Sequence, residues 1–323
     1  MTVVMKRRNF IKTTAGAVPL LSLFPADLAG MIRENPPGKI ERRSLGKTGE
    51  KLSMLGFGGI VVMDATPQQA SSRVSEAIDY GINYFDVAPS YGDAEIKLGP
   101  ALQPYRKDVF LACKTTERSK DGARKELEQS LKRLKTDHLD LYQLHAVTTL
   151  DDVKQIFAPG GAMETFLAAR NEGKVRFLGF SAHSVEAANA LMDQHDFDTI
   201  LFPVNYTTWY AGNFGPQVLE RAHSKQMGIL ALKAMAKSPY PEGTTNKVPK
   251  CWYQPLTDPE EALMGLRFTL SHPVTAALPP GNEDLFKMAL ELSSRIKPLS
   301  AEEIKMMKEK GKAGTPIFQY PMA

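Results

Sequence analysis

The sequence predicts a (β/α)8 barrel with a hairpin in front and a helix behind. Two observations predict it. After Pro36-Pro37-Gly38, eight short apolar runs alternate with amphipathic stretches, and eight strands with helices over ~250 residues are the repeat content of a β/α barrel. Six of the runs end on a polar residue: Asp86, Lys114, His145, Ser181, Asn205 and Lys233, at intervals of 28, 31, 36, 24 and 28. One βαβ unit takes about 30 residues, so one polar group closes each repeat. In a barrel those strand ends meet at one mouth, where sites of this fold lie. A doubly wound open sheet is the alternative, but Gly56-Phe57-Gly58-Gly59 lacks the third glycine of a dinucleotide fingerprint.

The first element is a leader, residues 1–30, followed by a linker, 31–39. The leader holds Lys6, Arg7, Arg8 and Lys12 against Asp27, so it carries three of the four net positive charges of the chain. The remaining body is close to neutral and has no Lys/Arg cluster, which argues against a nucleic-acid partner. Arg7-Arg8-Asn9-Phe10-Ile11-Lys12 stands before a mildly apolar stretch, Thr13 to Phe24. That pattern resembles a bacterial twin-arginine export signal. The resemblance implies the twin-arginine machinery as a partner and a periplasmic or exported location, or a cytoplasmic one if the signal is silent. The apolar stretch is shorter than the ~20 residues of a stable span.

The barrel occupies 40–323. Glu41–Leu45 and Lys51–Leu55 flank Gly46-Lys47-Thr48-Gly49 and read as a hairpin plugging the barrel floor. The strands read as Met54–Gly58, Ile82–Asp86, Val109–Lys114, Leu139–His145, Val175–Ser181, Thr199–Asn205, Gly228–Lys233 and Thr275–Leu278. Helical patterns lie between them, as at Pro67–Tyr80, where Thr66 and Pro67 are N-terminal signals and Gly81 a stop. Tyr240–Pro255 has no period and is long for a connection, as mouth lids often are. Leu299–Lys310 is an amphipathic helix that packs outside.

Composition bounds the chemistry. Hydrophobic residues at 43% of 323 exclude wholesale disorder, and two cysteines exclude a disulfide scaffold or a four-cysteine metal site. No metal site is expected. Asp86, Lys114 and His145 end consecutive strands, and Tyr91 follows Asp86 on the loop above it. A tyrosine is a weak acid at neutral pH, but a neighbouring ammonium favours the phenolate. Asp86 would hold Lys114 in place, and His145 would orient a carbonyl oxygen against the phenol. The missing reagent is a hydride, which no side chain supplies, so a nicotinamide dinucleotide, NADP or NAD, is implied. A Schiff-base aldolase using Lys114 stays open on these residues alone.

The segment Phe85-Asp86-Val87-Ala88-Pro89-Ser90-Tyr91-Gly92-Asp93-Ala94-Glu95-Ile96-Lys97-Leu98-Gly99 resembles the Asp…Tyr-Gly…Leu-Gly signature of the aldo-keto reductases. Gly49–Ser53 and Leu55–Gly58, Asp137–His145 and Gly173–Ser181 are similar to that family's opening hairpin and first, fourth and fifth strands. The resemblance implies a catalytic tetrad of Asp86, Tyr91, Lys114 and His145 acting on a small-molecule carbonyl, an aldehyde, ketone or sugar-like compound. It also implies that Ser181 binds the nicotinamide carboxamide. Where relatives have Asn after that Ser, this chain has Ala182 and His183, so His183 is the candidate. Asn205 stands near a carboxamide-binding position, and Lys233 or Met235 where an aromatic usually stacks. Gly281 and Asn282 fall in the last phosphate loop. Glu283 and Asp284 follow, where relatives carry cations for a 2′-phosphate, and suit NAD or weak discrimination. A cofactor-binding regulatory or low-turnover barrel is the second functional class, favoured by these departures and by the export pattern.

Overall fold

The structure, a computed structural model, describes residues 39–321. The twin-arginine pattern and the linker up to residue 38 lie outside the described residues. Two short strands, β1 (Arg42–Ser44) and β2 (Lys51–Ser53), pair antiparallel as a hairpin. The barrel strands follow: β3 (Phe57–Gly58), β4 (Tyr84–Asp86), β5 (Phe110–Thr115), β6 (Leu139–Val147), β7 (Val175–Ala182), β8 (Thr199–Pro203), β9 (Gly228–Leu232) and, last in the chain, Ala276–Leu278. They form one parallel sheet in chain order. Leu55 bridges to Ala277, and Gly56 N–H donates to the Ala277 carbonyl at 3.0 Å, which joins the first strand to the last and closes the barrel.

Local signals fix the elements. Thr66 caps the helix Pro67–Asp79 with a capping box to Gln69, satisfying two end donors at once. Gly81 takes a φ of 90° just past that helix, as a C-terminal stop requires.

The hairpin seals the floor. Leu45 and Leu52 are fully buried and cluster with Tyr84, Phe110, Ala112, Leu141, Leu201, Leu230 and Ala276, apolar residues contributed by six of the barrel strands. Gly46 at the turn has a φ of 50°, and a Cβ there would strike the backbone of Gln226, Met227 and Gly228. Only glycine lets the turn press so closely against the base of β9.

Three expectations shift. The sixth strand stops at Pro203; Asn205 instead caps the short helix Tyr206–Tyr210, its side-chain oxygen accepting from Thr208 N–H at 2.9 Å. Asn at the strand end satisfies that helix start, which ends the ladder. The seventh strand stops at Leu232, because Lys233 adopts a φ of 73° that no ladder accommodates. The 240–255 connection is not a free lid. It is closed by an antiparallel stem, β10 (Ala236–Pro239) with β11 (Tyr253–Pro255), and Lys250 donates to the Met63 carbonyl at 2.7 Å. Among the described residues no helix is long and apolar enough to cross a membrane.

Candidate active site

Four strands bring the candidate residues to one mouth. In the sheet Asp86 is paired with Ala112, and Lys114 with Gln143. Side chains alternate along a strand. Tyr84 and Asp86 therefore share the inner face of β4, and Gln143 and His145 share that of β6.

Asp86 and Lys114 form an ion pair that is almost wholly buried. The second carboxylate oxygen of Asp86 accepts from the Tyr84 hydroxyl at 3.0 Å and from Gln143 Nε2 at 3.0 Å. Lys114 Nζ also donates to the Val87 carbonyl at 3.2 Å. Every strong polar group of the pair thus has partners, the condition under which buried charge is tolerated. Burial works to lower the Lys114 pKa, but Asp86 and then Tyr91 outweigh it and the net direction is up. Lys114 is held as an ammonium.

Tyr91 lies over this ammonium, its ring centroid 5.1 Å from Nζ. The phenol and His145 pack edge to face at 5.6 Å, and both stay partly exposed at the mouth. Burial raises the Tyr91 pKa more than Lys114 lowers it, and Asp86 adds to the rise. This corrects the expectation of a net lowering. Lys114 offsets the desolvation of the phenolate rather than making the free phenol a strong acid. Burial, with Lys114, His183 and Arg118 adding to it, brings His145 down to about 3. Its ring is therefore neutral at physiological pH. Ser90 Oγ lies 3.3 Å from His145 Nδ1, and Arg118 donates to the His145 carbonyl at 2.9 Å.

A second set of residues lies beside the tetrad. Ser181 is buried and its oxygen accepts from Ala146 N–H at 2.8 Å, leaving its hydroxyl proton to donate. Asn205 Nδ2 and His183 Nε2 are buried without a hydrogen-bond partner among the described residues. His183 stacks on Phe318 at 5.2 Å, and burial, then Lys233, lowers its pKa to about 4. Unpaired buried polar atoms at a mouth are costly unless a ligand takes them. A carboxamide, one acceptor and one two-proton donor, matches an amide N–H, a hydroxyl and an imidazole nitrogen. The residues present fit a nicotinamide.

The phosphate loop is placed differently from its sequence reading. Asn282 is spent as a cap, its Oδ1 accepting from Leu285 N–H at 3.1 Å at the start of the helix Glu283–Leu292. Gly281 packs on Ile60, where a Cβ would collide. Glu283 does not stand free: it pairs with Arg73, which also donates to the Val61 carbonyl at 2.8 Å. Arg73 is 210 positions away, so its charge was invisible in the local acidic run.

Sequence reasoning missed Tyr84, Gln143, Ser90 and Arg118. Tyr84 and Gln143 sit two residues before Asp86 and His145, so the strand period was a usable signal for them. Arg118 and Ser90 act from loops and left none. Among the described residues no group of three or more His, Cys, Asp or Glu could hold a metal ion.

The model of the aldo/keto reductase family matches residues 54–255. The oxidoreductase YqkF of Bacillus subtilis is 34% identical over 157 residues, 44% of this chain and 49% of that protein. The L-galactose dehydrogenase of Arabidopsis thaliana is 31% identical over 217 residues, 61% of this chain and 66% of that protein. This chain thus spans half to just under two thirds of the length of these curated relatives. An aldo/keto reductase of Klebsiella pneumoniae, solved in complex with NADP and acetate, superposes with a TM-score of 0.66 at 19% identity, covering 88% of this chain and 99% of that one; at that identity the likeness speaks to the fold.

Proposed function

The chain belongs to the aldo/keto reductase family, and on that premise we propose that it reduces an aldehyde, ketone or sugar-like carbonyl with a nicotinamide dinucleotide. One observation carries the reading: a buried, fully partnered Asp86–Lys114 pair lies under a tyrosine that a neutral histidine meets edge-on.

A bound NADPH or NADH supplies the hydride. The chain's own residues do the rest. His145, neutral and with Nδ1 beside the Ser90 hydroxyl, directs Nε2–H at the carbonyl oxygen and fixes its position. Tyr91 gives its phenolic proton to that oxygen as negative charge develops. Lys114 stabilises the phenolate left behind, and Asp86 keeps the ammonium charged and in place. Tyr84 and Gln143 hold Asp86 and are positioning residues. Ser181, Asn205 and His183 hold the carboxamide, and Gly281 with the amides opening the helix Glu283–Leu292 receives phosphate. Because Glu283 is paired with Arg73, the acids there do not by themselves exclude a 2′-phosphate, and both NADP and NAD are taken.

Tyr91→Phe tests the mechanism. Loss of one general acid removes about 10²–10⁴-fold of rate, so kcat falls by at least that much while the dinucleotide Kd, read by fluorescence, stays within a few fold. Unchanged turnover overturns the mechanism, and loss of dinucleotide binding in the wild-type protein overturns the reductase reading as a whole. The Arg7-Arg8 pattern supports twin-arginine export of the folded protein to the periplasm. Replacing both arginines by lysine retains the protein in the cytoplasmic fraction if that reading holds.

A further inference from the structure

Lys233 takes no part in the tetrad, yet it occupies the same mouth. It follows β9 with a φ of 73°, off the ladder. Its ammonium lies 4.5 Å from the ring centroid of Tyr253 and 5.0 Å from that of Trp252. Both aromatics arrive on or beside β11, the return strand of the 240–255 connection. Among the described residues no carboxylate comes within the 4.0 Å of an ion pair with it. Aromatic faces attract a cation but leave its hydrogen-bond donors unused. Lys233 is therefore an ammonium with three donors and no acidic acceptor, stripped of much of its water.

The neighbourhood gives it a direction. Lys233 is close enough to His183 to lower that ring's pKa, and His183 in turn acts on His145. Lys233, Trp252, Phe318 and His183 are joined by successive contacts across the mouth. Phe318 stacks on His183 and meets Trp252 edge-on at 5.8 Å, while Trp252 is 55% exposed at the rim. A flat or apolar body entering past Trp252 has aromatic surface on which to lie, a carbonyl-directing imidazole at one end and an unpaired ammonium at the other. On the reading proposed above, the phosphates of a dinucleotide take the amides that open the helix Glu283–Leu292.

We propose that Lys233 is a specificity residue that receives a carboxylate on the substrate, so that the site selects oxo-acids and carboxylated aldehydes over neutral carbonyls. The inference deepens the reductase reading and rests on it. The carboxylate reaches the ammonium through charge-assisted hydrogen bonds, which an uncharged analogue cannot make.

Two probe pairs test it on the NADPH-loaded full chain. In turnover, 4-carboxybenzaldehyde exceeds benzaldehyde in kcat/KM by about tenfold or more, the worth of one hydrogen bond to a charged group. Lys233→Met removes that ratio and leaves benzaldehyde within a few fold; Lys233→Arg restores most of it. In binding, calorimetry shows benzoate held more tightly than benzamide, and Lys233→Met removes the difference. This second arm reads Lys233 even if the protein reduces no carbonyl, so failure of the reductase reading is seen separately. A carboxylate preference that is absent from the wild-type protein, or intact in Lys233→Met, overturns the proposal. So does a variant that loses NADPH affinity while keeping the ratio, since Lys233 would then serve the dinucleotide's own phosphate.

Discussion

Lys114 and Lys233 sit at two strand ends of one barrel, β5 and β9, and the surrounding chain treats them in opposite ways. Lys114 is fully buried, paired with Asp86, and its pKa is raised. Lys233 lies between aromatic rings, and burial brings its pKa down to about 8, with Cys251 pulling the other way. The first charge is compensated within the protein and serves the chemistry of a neighbour. The second is left uncompensated, the arrangement of a group that waits for a ligand's charge. Burial acts on both in the same sense; what separates them is one carboxylate.

The largest effect comes from making the first lysine resemble the second. Asp86→Asn leaves the Lys114 ammonium buried without its counter-charge, which costs about 3–5 kcal/mol. Urea unfolding measures the loss. The double variant Asp86→Asn/Lys114→Met regains most of the stability, because the unpaired charge is gone, but not the turnover. Stability that stays low in the double variant would mean that the loss does not come from the uncompensated Lys114 charge.

How far this contrast could be read beforehand depends on how local its causes are. Asp86, Lys114 and His145 were legible because each ends an apolar run one βαβ repeat after the last, and the Tyr91 signature lies within a single stretch of chain. The floor was legible too, from the Gly46-Lys47-Thr48-Gly49 turn between two short strands. The surroundings of Lys233 were not. Its aromatic cage comes from β11, across a connection without periodicity, and the same residues read equally well as core. Asn205 was placed at a strand end because an apolar run gives no sign of where a ladder yields to a helix cap. The net direction of the Tyr91 pKa required knowing the extent of burial, which spacing does not carry.

The two histidines between the lysines give the next test. His145, beside Lys114, and His183, beside Lys233, are held near 3 and 4, against 6.5 for a free imidazole. The folded chain therefore binds fewer protons than the unfolded chain below pH 6.5, and stability falls as pH drops through that window. Each ring contributes roughly 1–2 kcal/mol of loss by pH 5. His272, which burial also brings down to about 4, adds a similar share, so denaturant midpoints at pH 7 and pH 5 show the loss and His145→Gln removes about a third of it. An equal slope in wild type and variant would place the acid sensitivity elsewhere and detach His145 from the influence of Lys114.

The smallest effect concerns a third cation, Arg73, which stands between the two lysines in kind: it has an acid partner, but an exposed one. Glu283 is 49% exposed in the pair, so the interaction is worth at most about 1 kcal/mol. Burial lowers the Arg73 pKa and Asp284 raises it, and the group stays charged throughout. Glu283→Gln releases the guanidinium and removes one of two acids at the start of the helix Glu283–Leu292. A 2′-phosphate carries more negative charge to that point than a ribose hydroxyl does, so the NADPH-to-NADH ratio of kcat/KM rises, by about two- to fivefold for an interaction of this size. Arg73→Ala moves the ratio the other way. If neither variant moves it, the adenosine end of the dinucleotide lies away from this helix start. If both lower it, the intact pair is itself the recognition element, and Arg73 then belongs with Lys114 as a cation whose acid partner sets its position.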